Sequence, residues 1–131
     1  MTKANRPLSP HLQVYTWGIH MIVSILHRAT GAALAFGLLL LVWWLTALAT
    51  GPDYYTYVNE LLLSPVGRFV LLGITFSAMQ HLATGIRHLI MDTGVLYNLE
   101  RNRFSAQLTI VFSIIATLGI WYQAYALAGK I

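Results

Sequence analysis

The sequence predicts an all-α integral membrane protein with three transmembrane helices. Of its 131 residues, 57% are hydrophobic and 9% are charged, and the mean hydropathy is +0.65. A soluble domain of this length has too little interior to bury so much apolar side chain. Three apolar stretches are each long enough to cross about 30 Å of hydrocarbon. Residues 1–131 are therefore interpreted as one membrane-anchoring domain.

The first span is predicted at residues 19–50. Residues 1–18 are polar and contain two prolines, which disfavour a helix, so we expect a segment lying at the inner membrane surface. The helical pattern begins at Ile19, and residues 29–49 contain no charged side chain. This uncharged stretch is long enough to cross the hydrocarbon layer.

The second span is predicted at residues 65–92. A Gly-Pro-Asp sequence at 51–53 ends the first helix, and the following residues, with three tyrosines, are typical of an interfacial loop. Ser64 and Pro65 then have the types preferred at a helix N-cap and at the first helical position.

The third span is predicted at residues 105–129, after a polar loop at 94–104. The span has no charged residue before Lys130. Gly119 and scattered small residues are of the kind that allow close contact between membrane helices, so we expect this helix to serve in packing.

The distribution of basic residues predicts the orientation. Most of the eight Lys and Arg residues lie on the N-terminal side of the membrane, namely Lys3, Arg6, Arg28, Arg87, Arg101 and Arg103. Only Arg68 and Lys130 lie on the other side, so the positive-inside rule places the N-terminus inside and the C-terminus outside. The net charge of +4 is explained by this bias and does not indicate a nucleic-acid partner.

Polar residues share one face at the start of the first helix. Ser24, His27, Arg28 and Gly31 follow the spacing i, i+3, i+4 and i+7. A polar stripe entering the bilayer is costly and usually faces a partner, a cofactor or a cavity. The alternative is a snorkelling arginine beside a capping serine.

The second helix has a comparable face. His81 and His88 are two turns apart, and Gly85 between them would let a flat ring lie against the backbone. A neutral histidine in a membrane helix can ligate haem iron, although His81 could instead bond to a neighbouring helix. Two histidines of one helix cannot bind opposite faces of one haem. We expect His81 to lie deep and His27 and His88 nearer the inner surface, so a second axial ligand would come from another subunit.

Three sequence blocks together resemble the cytochrome b subunits of succinate dehydrogenase, respiratory complex II. The blocks are residues 6–11 (Arg-Pro-Leu-Ser-Pro-His), Ser24-x-x-His27-Arg28-x-x-Gly31, and His81-x-x-x-Gly85-Ile86-Arg87-His88 followed by Asp92. They cover roughly residues 5–95 in the order of the family, and the third span matches only in hydropathy and position.

The resemblance implies an assembly and a site. A second membrane anchor would hold haem b together with this chain and supply the other iron ligand. A flavoprotein and an iron–sulfur protein would dock on the inner face, and electrons from succinate would reduce ubiquinone, joining the tricarboxylic acid cycle to the respiratory chain. By motif position, His81 would be the haem iron ligand, and His27, Arg28 and His88 would lie near the haem propionates. The quinone site would include Ser24 and Arg28. Asp92 would be a candidate proton relay. His20 lies outside the motifs and is assigned no function.

The residue content restricts this chain to a non-flavin role. It has no flavin or dinucleotide motif and no cysteine for an iron–sulfur cluster or covalent haem, so it cannot oxidise succinate alone. The alternatives are the anchor of a fumarate reductase and a haem-free docking anchor. A small transporter is disfavoured because three spans show no repeat. The start of the sequence lacks an Arg-rich presequence, which favours a bacterial inner (cytoplasmic) membrane over a mitochondrial one.

Overall fold

The computed structural model describes His11, Val14 and residues 16–129, and four α-helices make up almost all of that part. They are α1 (Ile19–Thr50), α2 (Pro52–Leu63), α3 (Pro65–Asp92) and α4 (Leu99–Leu127). The described residues contain no strand, so the predicted all-α fold is confirmed. The proline-containing block at residues 6–10 and Lys130 lie outside the described residues.

Three of the helices are long and apolar enough to cross a membrane, namely α1, α3 and α4, with 32, 28 and 29 residues. At a rise of about 1.5 Å per residue each is longer than the roughly 30 Å of hydrocarbon, so their ends reach the interfaces. Large apolar side chains cover their outer surfaces, and Phe36 and Phe69 are both more than 70% exposed. α1 and α3 occupy the residue ranges predicted for the first two spans.

The tyrosine-rich segment after α1 is a helix, and the predicted loop is wrong. Gly51 has a φ of 144°, which allows the sharp change of direction between α1 and α2. Pro52 occupies the first turn of α2, where its missing N–H is not needed. The preference for proline at the first helical position correctly predicts the start of α3 at Ser64 and Pro65, and it also explains the start of α2 at Pro52.

α2 packs on the C-terminal end of α1. Val58 and Leu62 are buried against Ala47. Two tryptophans of α1 add hydrogen bonds: Trp43 Nε1 donates to the hydroxyl of Tyr54 at 3.0 Å, and Trp44 Nε1 donates to Asn59 Oδ1 at 2.9 Å. Burial of apolar groups and satisfaction of both indole N–H groups stabilise this arrangement.

α4 begins at Leu99, before the predicted start of the third span at residue 105. The side chain of Asn98 accepts a hydrogen bond from the backbone N–H of Glu100 at 3.0 Å, which is an N-cap. The charged residues at 100, 101 and 103 therefore lie in the first turns of the helix and not in a loop. A carboxylate in the first turn interacts favourably with the helix dipole.

α3 packs against both α1 and α4, and the buried side chains of α3 and α4 are small or polar. The buried residues are Ser77, Gln80, Thr84 and Arg87 on α3 and Ala106, Thr109, Ser113 and Thr117 on α4. Small side chains at this seam agree with the packing role expected of the third span. Gly119 does not take part, because it is exposed and a Cβ added there would meet nothing within 4 Å.

Candidate functional site

Three histidines from two helices meet between α1 and α3. The rings of His27 and His81 are stacked, with centroids 3.9 Å apart and planes inclined by 10°. His88, two turns after His81, approaches His27 edge to face, with centroids 5.2 Å apart and an interplanar angle of 60°. The sequence predicted that these three residues are functional, and the helix packing brings them together.

The ring of His81 is fixed by the backbone of α1. Its Nδ1 lies 3.1 Å from the carbonyl oxygen of His27, and a carbonyl oxygen can only accept, so Nδ1 carries the hydrogen and donates it. The hydroxyl of Thr30 is 3.4 Å from the same nitrogen. When Nδ1 is protonated in a neutral imidazole, Nε2 keeps its lone pair. This is the tautomer that a metal-ligating histidine requires.

A glycine allows the two helices to approach at this level. A Cβ added at Gly31 would lie 3.0 Å from Cε1 and 3.5 Å from Nδ1 of His81. At Gly85 an added Cβ would meet only His27 Cε1, at 3.9 Å, which is an ordinary contact. The close approach of the His81 ring to α1 therefore depends on Gly31. That Gly85 leaves room for a flat ring against the backbone of α3 stays a prediction.

The rings of His27 and His81 are in direct contact, and the expectation that His27 lies nearer the inner surface than His81 stays a prediction. A Cβ added at Gly85 would meet His27 and one added at Gly31 would meet His81, so His27 is about one turn closer to the start of α1 than the level of His81. An imidazole nitrogen binds a metal in the plane of its ring, so two rings stacked face to face cannot hold one iron between them. Among the described residues no group of three or more His, Cys, Asp or Glu could hold a metal ion. Each histidine therefore has to be considered as a single ligand or as a hydrogen-bonding group.

His27 has a polar atom that suits an external partner. Its Nδ1 is buried and makes no hydrogen bond to any described residue. Buried polar atoms are almost always paired, and leaving one unpaired costs about 1–3 kcal/mol. The nitrogen therefore fits a polar group supplied by a ligand or by a second chain.

Ser24 and Arg28 lie one turn apart on α1, beside the histidine cluster. Ser24 is half-buried and Arg28 is exposed, and neither side chain is hydrogen-bonded to another residue in the described part of the chain. The predicted common face is thus divided, since His27 turns towards α3 whereas Arg28 points away from the bundle. Their hydrogen-bond donors remain available to a molecule bound against this end of α1.

Two further residues, Asp92 and His20, lie outside the histidine cluster. Asp92 is the last residue of α3, four positions after His88, and it is exposed. A carboxylate at a helix C-terminus is disfavoured by the helix dipole, so its position is not explained by helix stability. His20 is half-buried near the start of α1, and its ring lies over Gly18.

Two residues of this region were not predicted as functional. Thr30 is 4% exposed, and its hydroxyl donates to the carbonyl oxygens of Leu26 and His27, at 2.8 and 3.0 Å. Its position three residues after His27 was the only signal in the sequence. Arg87 was counted as a basic residue near the membrane surface and as part of the third sequence block, without a role of its own, but it is 5% exposed and hydrogen-bonded to α4.

Comparison with known proteins gives consistent matches. Residues 2–120 match the family described as succinate dehydrogenase/fumarate reductase transmembrane subunit. The succinate dehydrogenase cytochrome b556 subunit of Paracoccus denitrificans is 38% identical over 115 residues, 88% of each chain. The subunit of the same name from Rickettsia felis is 34% identical over 116 residues, 88% of this chain and 90% of the relative. The mitochondrial succinate dehydrogenase cytochrome b560 subunit of Sus scrofa is 35% identical over 121 residues, 89% of this chain and 70% of the relative.

Proposed function

The chain belongs to the succinate dehydrogenase/fumarate reductase transmembrane subunit family, and from this premise we propose that it is the cytochrome b anchor of a succinate:ubiquinone oxidoreductase. The relatives named above are subunits of succinate dehydrogenase, which favours this direction of reaction over fumarate reduction. The chain is a non-flavin subunit of the enzyme and is not catalytic alone, because succinate oxidation belongs to the flavoprotein.

The observation that carries the proposal is the hydrogen bond between His81 Nδ1 and the carbonyl oxygen of His27. With Nδ1 bonded to the His27 carbonyl, the lone pair of Nε2 suits it as one axial ligand of haem b. A second anchor subunit would supply the other axial ligand. The unpaired Nδ1 of His27, together with Arg28 and His88, supplies the polar groups that haem propionates need near a membrane surface. When bound, the haem would carry one electron at a time.

The residues around His81 keep the hydrogen of its ring on Nδ1. The carbonyl of His27 accepts from Nδ1, and the Thr30 hydroxyl donates to that carbonyl, so the ring orientation is determined by α1. A backbone acceptor of this kind raises the basicity of the opposite nitrogen and strengthens it as a ligand. Gly31 permits the contact.

Ser24 and Arg28 form our proposed part of the ubiquinone site. A quinone carbonyl needs a hydrogen-bond donor, and the Ser24 hydroxyl has one that is not used within the described chain. Reduction by two electrons builds negative charge on the quinone oxygens, which the Arg28 guanidinium stabilises in a site of low polarity. Two protons complete the quinol, and Asp92, at the same end of the bundle as His88, is proposed to relay them.

The assembly follows from the same premise. We propose a complex of this chain with a second membrane anchor, an iron–sulfur subunit and a flavoprotein, located in the inner (cytoplasmic) membrane of a bacterium. The histidine end of the bundle would face inside, where the iron–sulfur subunit delivers electrons. Reporter enzymes test this orientation. A fusion after residue 130 should be active only outside, and a fusion within residues 94–98 only inside.

Co-purification tests the function as a whole. The tagged chain is extracted from native membranes in mild detergent, the attached subunits are identified, and a reduced-minus-oxidised spectrum is recorded. We expect the three partner subunits, a sharp α-band of low-spin haem and succinate-dependent ubiquinone reduction. Partner subunits without haem would support the haem-free docking anchor, and a complex that reduces fumarate with quinol but does not oxidise succinate would support the opposite direction.

A further inference from the structure

A second cleft lies on the side of α3 opposite to the histidines. It has a volume of about 270 Å³ between α3 and α4, and its walls are apolar apart from Arg87, Ser105 and Thr109. Ile90, which lines it, comes nine residues after His81, and at about 100° per residue this places the two side chains on opposite faces of α3. If a haem and a second anchor contact the histidine face, this cleft stays exposed to lipid.

A buried arginine lines the cleft. Arg87 is 5% exposed, and Nε donates to Ser105 Oγ at 3.0 Å while Nη2 donates to Asn102 Oδ1 at 2.8 Å. Both acceptors are neutral. No carboxylate lies within ion-pairing distance of Arg87 in the part of the chain that the structure describes, and its Nη1 is not hydrogen-bonded to any of those residues. A guanidinium has five N–H donors, so this one still has donors for an anion.

Depth and neighbouring charge identify the kind of anion. Arg87 lies five residues before the end of α3, about 7–8 Å along the helix axis, which is the depth at which a headgroup meets the hydrocarbon. Below it the apolar walls include Ile86, Leu108 and Phe112. Exposed arginines at 101 and 103 add positive charge on the first turns of α4. Basic pockets between membrane helices are a recurrent way of binding anionic lipid headgroups.

We propose that this cleft binds an anionic phospholipid, with the phosphodiester on Arg87 and an acyl chain against the apolar walls. The lipid supplies the counter-charge that the chain itself does not provide to Arg87. Because Arg87 bonds to the first turns of α4, the bound lipid also joins the ends of α3 and α4. The step that leaves this cleft exposed to lipid rests on the proposed function, and the other steps require only the three-helix membrane fold.

The test measures which lipid remains with the intact complex. Complexes containing the wild type, Arg87→Lys, Arg87→Gln or Arg103→Gln are equilibrated with vesicles of equal phosphatidylglycerol and phosphatidylcholine carrying the same acyl chains, then repurified, and bound lipid is quantified by mass spectrometry. We expect the preference for phosphatidylglycerol to fall about fivefold in Arg87→Gln, the effect of one basic residue near a membrane surface. Arg87→Lys should retain the preference, and Arg103→Gln, whose side chain is exposed and does not line the cleft, should lose clearly less of it than Arg87→Gln.

Ala83→Leu tests the same site without touching the arginine, in case Arg87→Gln fails to assemble. A larger side chain on the wall should lower retention of both lipids. The proposal is overturned if Arg103→Gln loses as much selectivity as Arg87→Gln, or if Ala83→Leu retains lipid like the wild type. It is also overturned if millimolar inorganic phosphate displaces the lipid, or if a photo-cross-linker at Phe112 captures a partner peptide and no phospholipid.

Discussion

On the side of α3 that faces α4, most polar side chains are bonded within the chain, whereas on the side that faces α1 several ring nitrogens are not. Towards α4, Gln80 Nε2 donates to Thr84 Oγ1 at 2.9 Å, and Arg87 donates to α4. Towards α1, only Nδ1 of His81 is bonded, and Nδ1 of His27 is buried without a partner among the described residues.

The difference separates a packing interface from a binding site. Polar groups that satisfy one another hold two helices together, because an unpaired group in hydrocarbon is costly. Polar groups that remain unpaired indicate a molecule still to be bound. Two atoms depart from this rule, since Oε1 of Gln80 and Nδ1 of His20, which lies outside the histidine cluster, are also buried without a partner among the described residues. The variants below test whether the two faces of α3 have these separate roles.

The largest effect is expected for His81→Ala. The variant removes the proposed axial ligand, so the haem of the purified complex should become high-spin or be lost, as measured by its absorption spectrum. His20→Ala removes a half-buried histidine from α1 that lies outside the cluster, and it should leave the spectrum unchanged. A low-spin spectrum that persists in His81→Ala would exclude this residue as the ligand.

Arg28→Leu should reduce ubiquinone reduction about 10²-fold, because it removes the charge proposed to stabilise the reduced quinone. Succinate oxidation with an artificial dye should stay near the wild-type rate, since the flavin site is in another subunit. Both activities are assayed on the same membranes, with Arg103→Leu as the control for loss of one exposed positive charge. A parallel fall of the two activities would instead show that Arg28 supports assembly.

The sequence predicted the long helices well because hydropathy and capping residues are local signals. It missed α2 because Gly51 and Pro52 were interpreted only as helix breakers, although proline is favourable at the first position of a new helix. It placed the start of α4 too late because charged residues were taken as loop, although the Asn98 cap and the first-turn Glu100 both stabilise a helix end.

The candidate site was predicted only in part for a different reason. Periodicity places His81 and His88 on one face of a helix, but it does not give the register between two helices. The stacking of His27 on His81, the bond to the His27 carbonyl and the contact at Gly31 all depend on that register. Thr30 and Arg87 were missed because their roles appear only when α1 and α4 are packed on α3.

Gly31→Ala tests the close contact on the histidine side. The added methyl would lie 3.0 Å from His81 Cε1, so the ring has to move by a few tenths of an ångström. Overpacking of this kind costs about 1–3 kcal/mol, and we expect a lower thermal midpoint together with a shifted haem band. Gly119→Ala, where nothing lies within 4 Å, is the matched control and should be neutral or stabilising by about 0.5–1 kcal/mol. Equal spectra for both variants would contradict the assigned role of Gly31.

Ser24→Ala should have a smaller effect on the quinone. Loss of one neutral hydrogen bond is worth about 1 kcal/mol, or roughly a fivefold lower rate of ubiquinone reduction. Dye reduction and the haem spectrum should not change. Ser24→Thr keeps the hydroxyl and should recover most of the activity. If Ser24→Thr and Ser24→Ala are equally impaired, the hydroxyl is not the group that matters.

The smallest effect on the haem and the quinone is expected for Thr84→Val, among the buried polar side chains of α3. The variant keeps the shape of the side chain and removes the hydroxyl that accepts from Gln80, a side chain with 0% exposure. The lost bond lies within α3, between residues four apart, and its loss leaves the buried amide N–H of Gln80 without that partner, which costs about 1–3 kcal/mol, so the thermal midpoint of the complex should fall. The haem spectrum and ubiquinone reduction should both stay as in the wild type, because Thr84 acts only in packing. Thr46→Val, whose hydroxyl bonds within α1 at an exposed position, provides the control. A haem band displaced in Thr84→Val as far as in Gly31→Ala would show that the two faces of α3 are coupled and that the packing interface also shapes the site.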